Sequence, residues 1–224
     1  MTKDATETDR LPDRLIDRHG TPFSAELDLD LTRNTPSVLF RWLCAALLMS
    51  ARISHDAAMK AARALTDAGW TTAEHMAEAS WEERVEVLNT SGYARFDEST
   101  ARMLGETARL LLEDYDGDLR KLRAASDRDP DREREALKAC KGIGDVGADI
   151  FFRDLQTVWS EHYPFMDEAA RRAARRLQLP DTAEALAERV GRARFVPLVT
   201  ALVRADLDGI ERADLLDPAE SEAP

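Results

Sequence analysis

Residues 137–148 run LKACKGIGDVGA, and their punctuation decides the fold. Helical period precedes them over 133–140 and resumes over 145–159, so Lys141, Gly142, Ile143 and Gly144 are left to make a short hairpin between two helices. Two glycines around one aliphatic residue let the backbone turn sharply. They also leave amides exposed at a helix N-terminus, where N–H groups and the helix dipole can hold a phosphate. An ordinary tight helical turn has the same composition, so the segment alone leaves both alternatives open.

Working outward, nearly every other segment carries helical period, and no run of alternating β-branched residues suggests a strand. The expectation is an all-α protein. Thr35-Pro36 caps and opens an apolar helix over 37–51 (SVLFRWLCAALLMSA), hydrophobic all round and therefore buried. Ser54 caps a helix that stops near Gly69. Thr71 with Glu74, and Ser80 with Glu83, fit the capping box. Gly92 ends one short helix, 97–115 forms a long amphipathic one stopped by Asp116-Gly117, and 126–134 (SDRDPDRER) is a charged connector. Beyond the hairpin, helices are expected over 167–177, over 182–191 after the cap Asp181, and over 194–207.

Composition narrows the function. The chain has 224 residues and a net charge of −12, which argues against phosphate binding until the charge is located. Residues 1–30 carry 4 basic and 8 acidic side chains, and 205–224 carry 1 and 7, so the body between is close to neutral. Within 168–204 eight arginines face four acids, and Arg171, Arg172, Arg175 and Arg176 form a stripe that is either a solvated face or a DNA contact. The longest apolar run, 42–49, is far short of the roughly 20 residues that span a bilayer. The opening MTKDATETDR has no apolar segment to act as a signal sequence, so a cytoplasmic protein without membrane partners is expected. Cys44 and Cys140 cannot make a disulfide framework or a four-thiolate iron-sulfur site. His19, His55, His75 and His162 lack metal-motif companions, and no GxSxG, Walker A or Rossmann pattern is present.

Three segments together resemble the helix-hairpin-helix (HhH-GPD) base-excision DNA glycosylases, the endonuclease III superfamily. Residues 47–61, LLMSARISHDAAMKA, are similar to that family's LLSAQ-x-T-D-x-x-x-x-KA segment, with Arg52 where the family has its DNA-wedging glutamine. Residues 137–148 match the hairpin pattern L-x-x-x-x-G-[VI]-G-x-x-x-A. Residues 163–172, YPFMDEAARR, resemble the proline loop with a catalytic aspartate followed five positions on by an arginine. The likeness covers roughly 36–205. It implies a two-lobed helical fold with a central cleft: a six-helix bundle over 37–158 that includes the helix-hairpin-helix (about 133–158), a second lobe from 1–36 plus 159–207, and an acidic flexible tail over 208–224. It further implies a monomer that binds double-stranded DNA containing a damaged or mismatched base and flips the target nucleotide out. Hairpin residues Gly142, Ile143, Gly144, Val146 and Gly147 would grip a backbone phosphate, with a monovalent cation on hairpin carbonyls. Arg52 would fill the gap left by the base and Arg172 would contact DNA. Tyr93 and Phe96, in the loop after Gly92, are candidates to line the base pocket.

The chemistry can be stated without the family. Breaking the bond from base to deoxyribose builds positive charge on the sugar, and a carboxylate in a water-poor cleft stabilises that charge and orients the attacking water. Asp167 suits this role, and it equally suits a simple N-cap. Departures from the family pattern refine the expectation. Val146 stands where bifunctional members carry a Schiff-base lysine, and Lys138 and Lys141 precede the hairpin, so a monofunctional hydrolase without efficient lyase activity is expected. No Cys follows Cys140, which leaves no iron-sulfur cluster. Leu47 occupies the position of the glutamate in adenine-excising members, and Asp145 sets a negative charge beside the phosphate site. The alternatives are a catalytically inactive DNA-binding member of the fold and a helical protein-interaction module.

Overall fold

A computed structural model describes the backbone of residues 3–216 and the side chains of 10–215. Among the described residues the helices are joined by turns and loops, with no strand. In chain order the helices are α1 (Lys3–His19), α2 (Phe23–Glu26), α3 (Pro36–Met49), α4 (His55–Asp67), α5 (Ala73–Glu78), α6 (Trp81–Leu88), α7 (Asp97–Tyr115), α8 (Leu119–Ala125), α9 (Pro130–Lys138), α10 (Asp145–Leu155), α11 (Glu168–Arg176), α12 (Ala183–Val190), α13 (Arg192–Asp208) and α14 (Arg212–Leu216). Two compact units result: Ser24–His162, and the described residues before and after it. The resemblance implies lobe boundaries at 37 and 158, whereas the compact units of the structure divide at 24 and 162. Within the expected acidic tail, α14 is helical, and residues 217–224 lie outside the described residues.

The unit Ser24–His162 is built around α3, whose residues from Val38 to Leu48 are buried except Arg41. Two aromatic polar groups are satisfied inside the core: Trp42 Nε1 donates to the Phe151 carbonyl at 3.0 Å, and the Tyr93 hydroxyl donates to the Leu48 carbonyl at 3.0 Å. Ser54 caps α4, and the Ser80–Glu83 capping box is complete at the start of α6. The first capping box is displaced by one residue, because Thr72 rather than Thr71 accepts from the His75 amide. The charged connector is shorter than expected, since Asp129 caps α9 and Pro130 takes its first position. Buried Arg84 joins three helices by donating to the carbonyls of Met76, Ala79 and Ala101.

A second polar cluster lies where this unit ends. Glu133 of α9 is fully buried, and its Oε2 lies 2.6 Å from His162 Nε2. The His162 ring stacks on Phe152 at 3.9 Å. Burial pushes the Glu133 carboxyl above its ordinary value, with the His162 hydrogen bond opposing it. Glu161 is held below its ordinary value: burial raises it, but the hydrogen bond from Arg123 prevails. A carboxyl raised in the folded state contributes stability that is present below its unfolded value and lost as pH rises through its folded value. Glu133→Gln should therefore gain melting temperature relative to wild type as pH climbs above the ordinary glutamate value of 4.5, because burial holds the wild-type acid protonated in the folded state only. A difference that stays flat across that range would show that Glu133 does not titrate in this way.

In the other unit, α13 packs against α11, α1 and α12, burying Phe195, Leu198, Val199 and Leu202. Leu11 and Leu15 of α1, one turn apart, are fully buried. Arg204 of α13 lies 4.3 Å from the Phe23 ring and donates to the carbonyls of His19 and Thr21, fixing the exit of α1.

Candidate nucleic-acid interface

Helices α9 and α10 are joined by a short turn over 139–144. The turn closes with the Ile143 amide donating to the Cys140 carbonyl at 3.0 Å and Thr107 Oγ1 donating to the Lys141 carbonyl at 3.0 Å. Gly142 has φ +87, a left-handed conformation that suits glycine. A Cβ there would also lie 2.9 Å from Met103 Sδ and 3.2 Å from Leu47. Leu47 is thus a buried wall behind the turn. Ile143 is buried, so only its backbone can reach a ligand, and Gly147 comes close to Ile143 and Ser50. Gly144 differs from Gly142: its backbone is extended and a Cβ would meet nothing within 4 Å.

Gly144 is the N-cap of α10 and supplies no side-chain acceptor to the first-turn amides. Exposed Val146 lies in that turn. Cations gather beside it from α9. Lys138 Nζ is 3.0 Å from Asp145 Oδ1, and Arg134 Nη2 is 2.6 Å from Asp149 Oδ1 and 3.8 Å from Asp145 Oδ1. Sequence spacing placed Lys138 on the far side of the turn, but its long side chain reaches across to α10. Hydrogen bonds to Asp145 and Glu135 raise Lys138 above its ordinary value, keeping the amine protonated and poorly nucleophilic. The sequence weighed Lys138 only as a nucleophile and did not single out Arg134 or Asp149, although Arg134 and Lys138 at i, i+4 ahead of Asp145 carried the signal.

The other expected site residues fall as follows. Arg52 is exposed in the bend between α3 and α4. Tyr93 is fully buried with its hydroxyl bonded to Leu48, and Phe96 is half-buried, 6.5 Å from Tyr93 by ring centroids. In the unit that contains α11, Asp167 is the N-cap of that helix. Its Oδ1 accepts from the Ala170 amide at 2.9 Å, and the residue is 7% exposed. Arg172 is exposed and donates to Asp206 of α13 at 2.6 Å, while Arg175 donates to Asp181 at 2.8 Å. Much of the basic stripe is therefore matched by acids of its own unit. An open groove of about 450 Å³ is lined by Pro164, Phe165, Met166, Arg171, Arg175 and residues 181–184, without Asp167 itself. Among the described residues no group of three His, Cys, Asp or Glu could hold a metal ion, and no helix is long and apolar enough to cross a membrane.

Comparison with protein-family models and with curated proteins gives no match. Among solved structures the chain is similar to endonuclease III in a trapped covalent intermediate with DNA, an estranged-adenine complex. The identity is 16%, the TM-score 0.48, and the alignment covers 73% of this chain and 71% of that one.

Proposed function

We propose that the protein is a monofunctional DNA N-glycosylase that removes a damaged or mismatched base from double-stranded DNA. The observation that carries this reading is the hairpin. Its turn has a glycine at φ +87 against Met103 and Leu47, and an uncapped helix N-terminus follows directly. Such a turn offers backbone amides to a phosphate without reading sequence. The resemblance of residues 47–61 and 163–172 to glycosylase segments supplies the rest.

In this reading Asp167 stabilises the sugar cation as the base departs and orients the water that replaces it. Val146 in the lysine position leaves no amine there to attack the sugar, so the product is an intact strand with an abasic site. The step needs no metal or cluster. Thr107 Oγ1 already donates to the Lys141 carbonyl of the hairpin. The capping bond that Asp167 accepts from the Ala170 amide favours a second reading, in which the protein binds DNA without catalysis and Asp167 only starts α11.

Incubation with a panel of duplexes, each carrying one lesion or mismatch, separates the two. The glycosylase releases free base from at least one duplex and leaves alkali-labile sites there. Binding to the whole panel with no base released from any duplex would establish the non-catalytic reading.

A further inference from the structure

The cations beside the hairpin are already occupied by carboxylates of the protein itself, and this suggests how DNA binding is regulated. Arg134 and Lys138 sit one turn apart on α9 and both reach over the hairpin to α10. Asp145, the first residue of α10, lies in the turn whose amides have no side-chain cap. Its carboxylate is therefore where a phosphate would be favoured by the helix dipole, with Lys138 at 3.0 Å. Asp149 holds Arg134 one turn further on at 2.6 Å, and Arg134 Nη2 also donates to the Asp145 carbonyl at 3.1 Å. The Asp145 side chain is 74% exposed, so it can swing into water when another anion arrives.

We propose that Asp145 is an electrostatic gate on the hairpin: an internal carboxylate that occupies the cations and helix terminus meant for a DNA phosphate and must be displaced for the strand to dock. The inference rests on the DNA-binding reading above and adds its regulation. In the free protein Lys138 and Arg134 neutralise Asp145 and Asp149. In the complex they turn to the backbone phosphate, and Asp145 is left to solvent. The bond from Lys138 that favours the charged form of Asp145 below its ordinary value is the contact that DNA has to break. The consequence is weaker binding and faster release than the hairpin alone would give, and cations that contribute fully only when the gate is removed.

The test is duplex affinity across a salt series for wild type, Asp145→Asn and Gly144→Val, with melting temperatures alongside. Asn keeps the shape of Asp145 and removes its charge. Gly144→Val places a side chain in open space, so it obstructs phosphate approach while leaving the fold intact. Asp145→Asn is expected to bind about tenfold more tightly through slower dissociation. Its log–log salt dependence should steepen by up to about one phosphate contact, as Lys138 keeps only its exposed partner Glu135 at 3.1 Å and can turn to DNA. Gly144→Val should weaken wild type and Asp145→Asn alike. If wild type binds in a Gly144-dependent way but Asp145→Asn binds no more tightly, the gate is excluded and the DNA-binding reading stands. If Gly144→Val changes nothing, or no variant binds duplex, phosphate docking at the hairpin is excluded and the gate falls with it.

Discussion

Asp167→Asn should slow base excision by about 100-fold or more, roughly 3 kcal/mol of barrier, while leaving the melting temperature within a degree or so of wild type. The asymmetry follows from the two functions available to this side chain. As an N-cap it accepts from the Ala170 amide through Oδ1, and an asparagine carbonyl oxygen accepts the same bond. As the group facing a developing sugar cation it works through a full negative charge, which asparagine lacks. DNA affinity should hold or rise, because a negative charge is removed from beside a polyanion. Single-turnover rates on the best lesion of the panel, measured with thermal melting, distinguish the functions. Equal rates at equal stability would reduce Asp167 to a cap.

The second large effect concerns the fold of the Ser24–His162 unit. Arg84→Met keeps most of the aliphatic stem but removes the donors to the carbonyls of Met76, Ala79 and Ala101. Buried acceptors without partners cost about 1–3 kcal/mol each, and partial rearrangement should hold the total near about 3 kcal/mol. For a chain of this size that corresponds to a fall of about 6–12 °C in melting temperature. Gly105 of α7 supplies a diagnostic partner, because a Cβ there would lie 2.5 Å from Arg84 Nη2. Gly105→Ala should destabilise wild type, yet in the Arg84→Met background it should be tolerated or gain up to about 1 kcal/mol of helix propensity. Simple additivity of the two substitutions would show that the guanidinium does not occupy that space.

The extent to which the sequence foretold these features follows from the range over which each is encoded. The apolar helix expected over 37–51 is α3 at Pro36–Met49, because continuous hydrophobicity and a proline at the first position are local signals. The Ser80–Glu83 box and the Gly142–Gly144 turn were legible for the same reason. Helix α1 was not, because Pro12 within it reads as a helix breaker, and among its described side chains Leu11, Pro12 and Leu15 are the buried ones in a polar stretch. Helix α8, seven residues between two turns, was too short to show a period. The expected helix over 145–159 ends at Leu155, and a tighter turn over Ser160–His162 brings His162 onto Glu133, a pairing across 29 positions.

Charge partners were the hardest features to foresee. The arginine stripe on α11 reads from sequence as either a solvated face or a DNA contact, yet Arg172 and Arg176 meet Asp206, 34 and 30 residues away. Asp145 looked like an uncompensated obstacle to phosphate, yet Lys138 and Arg134 balance it from the preceding helix. Side chains of this length choose partners in space, and residue type alone does not announce the choice.

The most direct measurement counts two products in one reaction on the lesion duplex that the protein processes fastest: free base, by mass spectrometry, and strand breaks present before any alkali, by denaturing gel. Val146 at the lysine position and the protonated Lys138 lead to base released without matching breaks, with every abasic site cleaving only after alkali and no protein–DNA adduct trapped by borohydride. Breaks equal in number to released bases without alkali, together with a borohydride-trapped adduct, would contradict hydrolysis by Asp167 and assign the reaction to an amine nucleophile.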